Sequence, residues 1–232
     1  IITANTGAII TGTGGFSYVA EGVIQSVTPS EGQVGTGVTI EGTGLRGGGE
    51  EIVKVTLAGT SVAYIADESD TAVSVVVAHA EVASGDVVML VNTGAVITKA
   101  NGWAYLERGV INSVAPVAGQ FDTRVEMSGE RLRGGGEHVE KVLVGSNEAT
   151  IVTESDTSIS CTAPHGAAGD ADIVLVSSSY AMVSLTNGFT FLPEGEITAV
   201  EPLSGQYGTR VAISGSNLQG HGGDVVSVTL AG

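Results

Sequence analysis

The chain has 232 residues, of which 42% are hydrophobic, and a formal net charge of −16. That hydrophobic content suffices for a buried core, which excludes a wholly disordered protein. The 25 acidic side chains against 9 basic ones would repel a phosphate backbone, so we exclude a nucleic-acid partner. A single cysteine excludes a framework of intrachain disulfides and a cysteine-rich zinc site.

The sequence repeats itself along its whole length. Segments beginning at Gly22, Gly109 and Gly195 share one pattern, and their starts are 87 and 86 residues apart. They read GVIQSVTPSEGQVGTGVTIEGTGLRGGGE, GVINSVAPVAGQFDTRVEMSGERLRGGGE and GEITAVEPLSGQYGTRVAISGSNLQGHGG. Because the similarity continues to the end of each unit, we predict serial copies of one domain.

These starts set the predicted domain boundaries. Two complete units occupy residues 22–108 and 109–194, residues 1–21 match the end of a unit, and residues 195–232 match the start of one. We therefore expect the sequence to be a window of a longer array, with neighbouring chains completing its ends as the alternative.

Apolar residues within each unit recur at every second position, which is typical of strands with one buried face. Each unit closes on a strand with two alternating aromatic residues, and no segment has the period of an amphipathic helix. About seven short strands in a unit of this length predict an antiparallel β-sandwich of immunoglobulin size. The alternating apolar positions are Val38, Ile40, Val53, Val55, Leu57, Val125, Met127, Ile159, Cys161 and Ala163, and the aromatic pairs are Phe16 and Tyr18, Trp103 and Tyr105, and Phe189 and Phe191.

Five motifs in these units resemble those of the IPT/TIG immunoglobulin-like module. The resemblance covers the whole chain and implies an all-β fold of tandem immunoglobulin-like (IPT/TIG) β-sandwiches. The chain departs from the family pattern at Ala78, where a proline is usual, and in its LRGGGE segments, which are longer than the usual turn. The motifs are carried by Ile111–Gly119, Thr36–Leu45, Val53–Gly59, Asp156–Pro164 and Gly188–Phe191.

The order and period of the motifs also resemble very long tandem arrays in surface proteins of algae and related protists, which form flagellar-hair filaments (mastigonemes). The resemblance implies an extracellular or cell-surface location and neighbouring copies of the same repeat as partners in a homopolymeric filament. We predict a non-catalytic structural repeat of such a filament or stalk, because short joins between units favour a stiff stack. Exposed Ser and Thr on the strands are candidate O-glycan acceptors.

Two other functions stay open. A cell-surface adhesion or receptor ectodomain would bind a protein or a glycan, although aromatics are only 4% of the chain and the paired ones are predicted to face inward. An accessory module of a polysaccharide-acting enzyme would use these repeats as spacers. No Ser-His-Asp or Cys-His set recurs with the unit, so we predict no enzyme activity.

A glycine-rich segment, LRGGGE or its variant LQGHGGD, recurs in each unit. GTGLRG fits a dinucleotide-binding pattern, but acidic residues and a strand follow it where a helix would be needed. We instead predict a corner poor in side chains that lets another backbone approach closely. Arg46 and Arg133 in these corners are expected to pair with carboxylates of an adjacent unit or filament strand, with solvated loop arginines as the alternative. The candidate inter-unit contacts are Arg46, Arg133, Glu50, Glu137 and His221.

The remaining chemistry-bearing residues give weaker patterns. His79 and His165 occupy matching places on successive units, too far apart for one metal, so we predict no metal site and no cofactor. Weak calcium bridging between units stays open because carboxylates cluster near turns, and Asp70 and Asp156 are expected to cap their own turns. Cys161 is predicted to face the core. The longest apolar stretches are too short for a membrane span.

Overall fold

The computed structural model describes residues 1–230, and all of their regular secondary structure is β-strand. The predicted first fragment contains the antiparallel strands β1 (Ile2–Thr3) and β2 (Ile9–Ile10). The predicted last fragment extends to residue 232, so its final two residues lie outside the described ones. Between the fragments, two β-sandwiches follow each other.

The first repeat forms two sheets that face each other across one core. One sheet has the strand order β3-β5-β9-β8 and the other has the order β4-β11-β10-β6-β7. Neighbouring strands are antiparallel except β4 and β11, which are parallel. The strands are β3 (Val23–Thr28), β4 (Glu31–Gly32), β5 (Gly37–Thr43), β6 (Ile52–Leu57), β7 (Thr60–Ser61), β8 (Tyr64–Glu68), β9 (Ala72–Val76), β10 (Ser84–Val91) and β11 (Val96–Tyr105).

The second repeat has the same topology with one difference. Its fourth long strand is continuous and pairs with strands of both layers, so the layers join into the order β12-β14-β17-β16-β15-β18-β19-β13. The corresponding strand of the first repeat is interrupted at residues 62–63. The strands are β12 (Val110–Ala115), β13 (Ala118–Gly119), β14 (Arg124–Glu130), β15 (Val139–Val144), β16 (Asn147–Glu154), β17 (Ser158–Thr162), β18 (Gly169–Ser177) and β19 (Met182–Phe191), followed by β20 (Glu196–Glu201) and β21 (Ala212–Ser216).

Each complete repeat has its own hydrophobic core. The alternation at Val38 and Ile40, and at Val125 and Met127, places all four side chains inside, as predicted. The aromatic pairs of β11 and β19 are buried and pack edge to face, with ring centroids 5.7 and 5.3 Å apart. Two separate cores of this kind are what tandem immunoglobulin-like sandwiches require.

Three predicted core positions are wrong. Val53 is 50% exposed, because the pairing of β6 with β10 shifts between Leu90 and Val91 and turns Ile52 inward instead. Phe16 and Tyr18 are 78% and 95% exposed, because the short strands β1 and β2 of their fragment form no sandwich that covers them. Alternation of apolar residues in the sequence reveals neither a bulge in one strand nor whether a second sheet covers that strand.

Cys161 lies on β17 and is buried, as the alternation predicts. Burial, followed by the nearby charge of Glu126, raises the pKa of its thiol to about 11. Its cross-strand partner is Val125, just as Val75 of the first repeat pairs with Val38.

This burial predicts an inert thiol in the folded protein. At about pH 8, a chromogenic disulfide reagent should react with Cys161 at least about a hundredfold more slowly than it reacts in concentrated guanidinium chloride, because the thiolate is the nucleophile. Stopped-flow absorbance under the two conditions measures this ratio. Equal rates would show that the second core does not cover the thiol.

Candidate functional site: the junction between repeats

A Gly-Gln-x-x-Thr turn follows the first strand of each unit and lies where two units meet. In the first repeat, the backbone N–H of Gln33 donates to Thr36 Oγ1 at 3.2 Å, and Thr36 N donates back to Gln33 O at 3.1 Å. The same side-chain closure occurs at Gln120 with Thr123 and at Gln206 with Thr209. The closed turn holds the glutamine side chain in one direction, towards the next unit.

Gln33 binds the second repeat at two points. Its Oε1 accepts the backbone N–H of Gly109, the first residue of that repeat, at 2.8 Å. Its Nε2 donates to the carbonyl oxygen of Met182 at 3.2 Å. The Gln33 side chain is only 2% exposed, and both bonds are at least partly buried. A buried amide with both ends satisfied strongly restrains the groups it joins.

Gln120 makes the matching bond at the following junction. Its Oε1 accepts the backbone N–H of Gly195 at 2.8 Å. Gly195 begins the last unit just as Gly109 begins the second repeat. The Oε1 bond therefore occurs at both junctions that follow a complete sandwich, partly buried at Gln33 and exposed at Gln120.

The glycine-rich corners pack against the same glutamines. A Cβ on Gly134 would lie 2.9 Å from Gln33 Nε2, and one on Gly135 would lie 2.8 Å from Leu106 Cδ1. Both glycines also have positive φ, at 57° and 85°. The predicted close approach is therefore observed, and the approaching partner is the preceding repeat and its linker.

Backbone hydrogen bonds extend this junction. Gly37 N donates to Ser179 O at 2.9 Å, and Met182 N donates to Val34 O at 3.4 Å. The turn after β18 of the second repeat thus lies along residues 34–37 of the first repeat, where β5 begins. The ring of Tyr180 covers Gly37, where an added Cβ would lie 3.2 Å from Tyr180 Cδ2.

The sequence pattern contains this junction, but our sequence interpretation gave the glutamine no role. The signal available was the recurrence of Gly-Gln with Thr three residues later in all three units. Nothing in the pattern says which backbone group the amide meets, because Gln33 and Gly109 are 76 residues apart. That proximity depends on how successive sandwiches stack.

Arg46 and Arg133 each pair with a carboxylate of their own repeat. Arg46 Nη2 lies 3.0 Å from Glu68 Oε1, and Arg133 Nη2 lies 2.8 Å from Glu154 Oε1, with a second bond through Nε in both cases. These forked contacts hold each glycine-rich corner against the sandwich. A contact of either arginine with a neighbouring chain stays a prediction.

The other predicted contact residues lie around the same corners. The backbone N–H groups of Glu50 and Glu137 donate to Asn92 Oδ1 and Ser178 Oγ, and both residues are exposed. His221 takes the place of Gly135 in the last unit, with φ of 65°, and its Nε2 lies 2.8 Å from the carbonyl oxygen of Pro193 at the end of the second repeat. Assembly roles for these three residues stay predictions.

The expected turn caps are wrong in one respect. Asp70 Oδ1 accepts the backbone N–H of Arg46 at 3.0 Å, and Asp156 Oδ1 accepts that of Arg133 at 3.0 Å. The turns themselves are capped by the preceding serines, Ser69 and Ser155. The aspartates therefore anchor the glycine-rich corner instead of their own turn.

His79 and His165, which we predict to lie too far apart for one metal, belong to different repeats and have different surroundings. His165 stacks on Phe121 with ring centroids 3.7 Å apart and places its Nδ1 2.8 Å from Glu194 Oε1, whereas His79 lies exposed on the other repeat. Within residues 1–230, no three His, Cys, Asp or Glu side chains form a group that could hold a metal ion. No helix in this described part has the length and apolar character needed to cross a bilayer.

Comparison with known families identifies the sandwiches. The family model described as the IPT/TIG domain matches residues 23–104 and residues 110–191. The chain belongs to the IPT/TIG family. No curated protein sequence matches the chain.

Among solved structures, the full extracellular region of plexin A4 is similar over 94% of this chain, with a TM-score of 0.50 and 20% identity. The chain spans about a fifth (20%) of that plexin chain, and the likeness shows the fold alone. SGBP-B from a complex xyloglucan utilization locus in Bacteroides uniformis is 15% identical over 78% of this chain and 55% of its own, with a TM-score of 0.32. That superposition is too loose to relate the two proteins' sites.

The corner ion pair gives a pH-dependent prediction. Hydrogen bonding to Arg133 is the main cause that holds the pKa of Glu154 below its ordinary value of 4.5. Because the folded-state pKa is the lower one, the pair stabilises the fold above about pH 4.5, and this contribution is lost as the pH falls through the folded pKa. Glu154→Gln should therefore lose less unfolding free energy than the wild type between about pH 6 and pH 3.

Urea denaturation at several pH values tests this expectation. Glu137→Gln is the matched control, because the carboxylate of Glu137 forms no hydrogen bond or ion pair with any of residues 1–230. If wild type and Glu154→Gln showed parallel acid profiles, the corner pair would have no part in acid stability.

Proposed function

We propose that this member of the IPT/TIG family is a non-catalytic, stiff segment of an extracellular or cell-surface array, which resists tension by holding successive sandwiches in fixed order and spacing. The observation that carries the proposal is the buried amide of Gln33, which joins two repeats and has a counterpart at Gln120. A filament of the flagellar-hair type, built from neighbouring copies of similar repeats, is the specific assembly that we infer.

The linker supports stiffness because its backbone is held from both sides. Four residues, 106–109, separate β11 from β12, and the first and last donate to the first repeat: Leu106 N to Gly32 O at 2.8 Å and Gly109 N to Gln33 Oε1. From the second repeat, Arg131 Nε donates to Arg108 O at 3.1 Å. Bending at this linker would break several hydrogen bonds at once.

The next linker is held in the same way. Leu192 N donates to Gly119 O at 2.8 Å, and Gly195 N donates to Gln120 Oε1. From the following unit, Asn217 Nδ2 donates to Pro193 O at 3.4 Å. Since each intramolecular hydrogen bond contributes about 1 kcal/mol net, a junction of this kind resists bending by a few kcal/mol. Repetition of one restrained junction produces a nearly constant angle between successive units.

A second candidate function is a cell-surface binding module for a protein or a glycan. It is favoured by two tyrosines, Tyr64 and Tyr180, that are exposed near the first junction, in contrast to the inward-facing aromatics of the last strands. Binding modules rely on such amphipathic aromatic side chains.

Distance measurements between spin labels in the two repeats test the proposal. In a Cys161→Val background, labels at Val53→Cys and Val152→Cys occupy exposed positions of the first and second repeats. We expect pulsed electron–electron double resonance to give a narrow distribution of distances between the two labels. Gln33→Ala should broaden it and lower the unfolding free energy by about 1–3 kcal/mol, because Gly109 N–H loses its acceptor.

The matched control is Gln25→Ala, which removes an exposed glutamine of β3 from the same repeat. It should leave both the distribution and the stability unchanged. A broad distribution in the unsubstituted protein would contradict a stiff array. A distribution that Gln33→Ala leaves narrow would show that the Gln33 amide is not what restrains the junction. Unchanged circular dichroism in Gln33→Ala would show that the sandwiches themselves remain folded.

A further inference from the structure

The outward face of the sheet β3-β5-β9-β8 carries an apolar row beside the first junction. The register pairs Gly37 with Val76 across β5 and β9, and Val76 with Tyr64 across β9 and β8. Residues directly opposite each other in neighbouring strands lie on the same face of a sheet. The row is thus glycine, valine and tyrosine, with Tyr64 58% exposed.

The same row in the second repeat is polar. There the register pairs Arg124 with Thr162 and Thr162 with Thr150. Arg124 Nε also donates to Glu126 Oε1 at 3.0 Å and to Ser160 Oγ at 3.2 Å. The two repeats share one fold, so the fold does not require an apolar row at this position. The difference belongs to this face of the first repeat.

Tyr180 extends the apolar face from the second repeat. It occupies a turn position that Gly94 fills in the first repeat, and it has a φ of 67°. A bulky residue in the left-handed region is an outlier that costs about 1–3 kcal/mol. The side chain held there is 71% exposed and lies on Gly37, so the turn presents an aromatic ring at an energetic cost.

Together these residues border a groove of about 830 Å³ that is lined by both repeats. Its walls include Val34 and Met182 from the two sides of the junction. No Asp, Glu, Lys or Arg side chain lines it, although the chain has a net charge of −16. His79 is the one titratable imidazole among its lining residues, and an apolar patch without carboxylates on an acidic protein is typical of an interaction surface.

We propose that this groove is a lateral docking surface for a second copy of the same chain, in which the exposed rings of Tyr64 and Tyr180 at the edge of each groove pack into the other about a two-fold axis. Two chains of charge −16 repel each other over most of their surfaces, so they approach best where both lack carboxylates. Tyr64 and Tyr180 supply the amphipathic rings that dominate such contacts.

The groove is also continuous with the junction between repeats, because Gly37, Met182 and Tyr180 belong to both. The accessible surface of the groove is well below the roughly 800 Å² per partner of a standard interface. The isolated chain therefore associates weakly, with a Kd of about 0.1–1 mM. In a long array, many weak contacts in register would add up to stable lateral packing.

Sedimentation equilibrium of the 232-residue chain, from about 10 µM to 1 mM, tests the docking surface. We expect a monomer–dimer equilibrium that tightens between about 0.05 and 0.5 M salt, because salt screens the repulsion between acidic chains. Tyr64→Thr combined with Val76→Thr introduces the residues that the second repeat carries in this row, so folding is retained. This variant should weaken association at least tenfold.

Val53→Glu is the matched control. Val53 is exposed and lies outside the groove, and the second repeat carries a glutamate, Glu140, at the same place. It should leave the dissociation constant within about twofold of the wild type. A wild type that stays monomeric at both salt concentrations would overturn the inference, as would equal association of wild type and row variant. Binding of a neutral glycan to a monomeric chain through Tyr64 would assign the groove to the second candidate function instead.

The inference supplies the lateral contact of the proposed filament and rests on that function for its role. The experiments distinguish the docking surface from the proposed function. A monomeric chain with a narrow distance distribution between repeats would contradict the docking surface and leave the stiff array supported.

Discussion

The junction between repeats depends on one requirement: the first backbone N–H of a new sandwich needs an acceptor where the chain leaves the previous one. Gln33 supplies that acceptor to Gly109 through Oε1, and its Nε2 binds the second repeat again at Met182. Leaving this partly buried N–H without an acceptor would cost about 1 kcal/mol or more, so the amide favours one arrangement of the two repeats over others. The stacking of two sandwiches is thereby coupled to the geometry of a single turn.

The glycine-rich corners follow from the same requirement. The amide of Gln33 and the side chain of Leu106 occupy the space that Cβ atoms on Gly134 and Gly135 would take. On its other side the corner is held by Arg133 and Asp156, which bind Glu154 and the corner backbone. The corner is thus fixed to its own repeat by hydrogen bonds, and it has no side chains on the surface that faces the preceding repeat. Both features allow the two repeats to pack closely.

The repeat period and the alternation of apolar residues were enough to predict two sandwiches, their cores and the burial of Cys161. Such patterns succeed because one buried face per strand leaves a period of two in the sequence. They failed at Val53, where a register shift turns Ile52 inward. They do not identify the partner that Arg133 has within its own repeat, Glu154, because sequence patterns do not say which carboxylate a folded loop will meet.

By itself the sequence determined the fold class, the serial order of the domains and the presence of a side-chain-poor corner in each unit, since these follow from local periodicity and from the backbone freedom of glycine. Only the tertiary structure decided what the corner approaches and that Gln33 meets Gly109, 76 residues away. It also decided that Tyr64 and Tyr180, far apart in the chain, border one uncharged groove. These relations arise from the packing of one sandwich on the next, and no local pattern of residues records that packing.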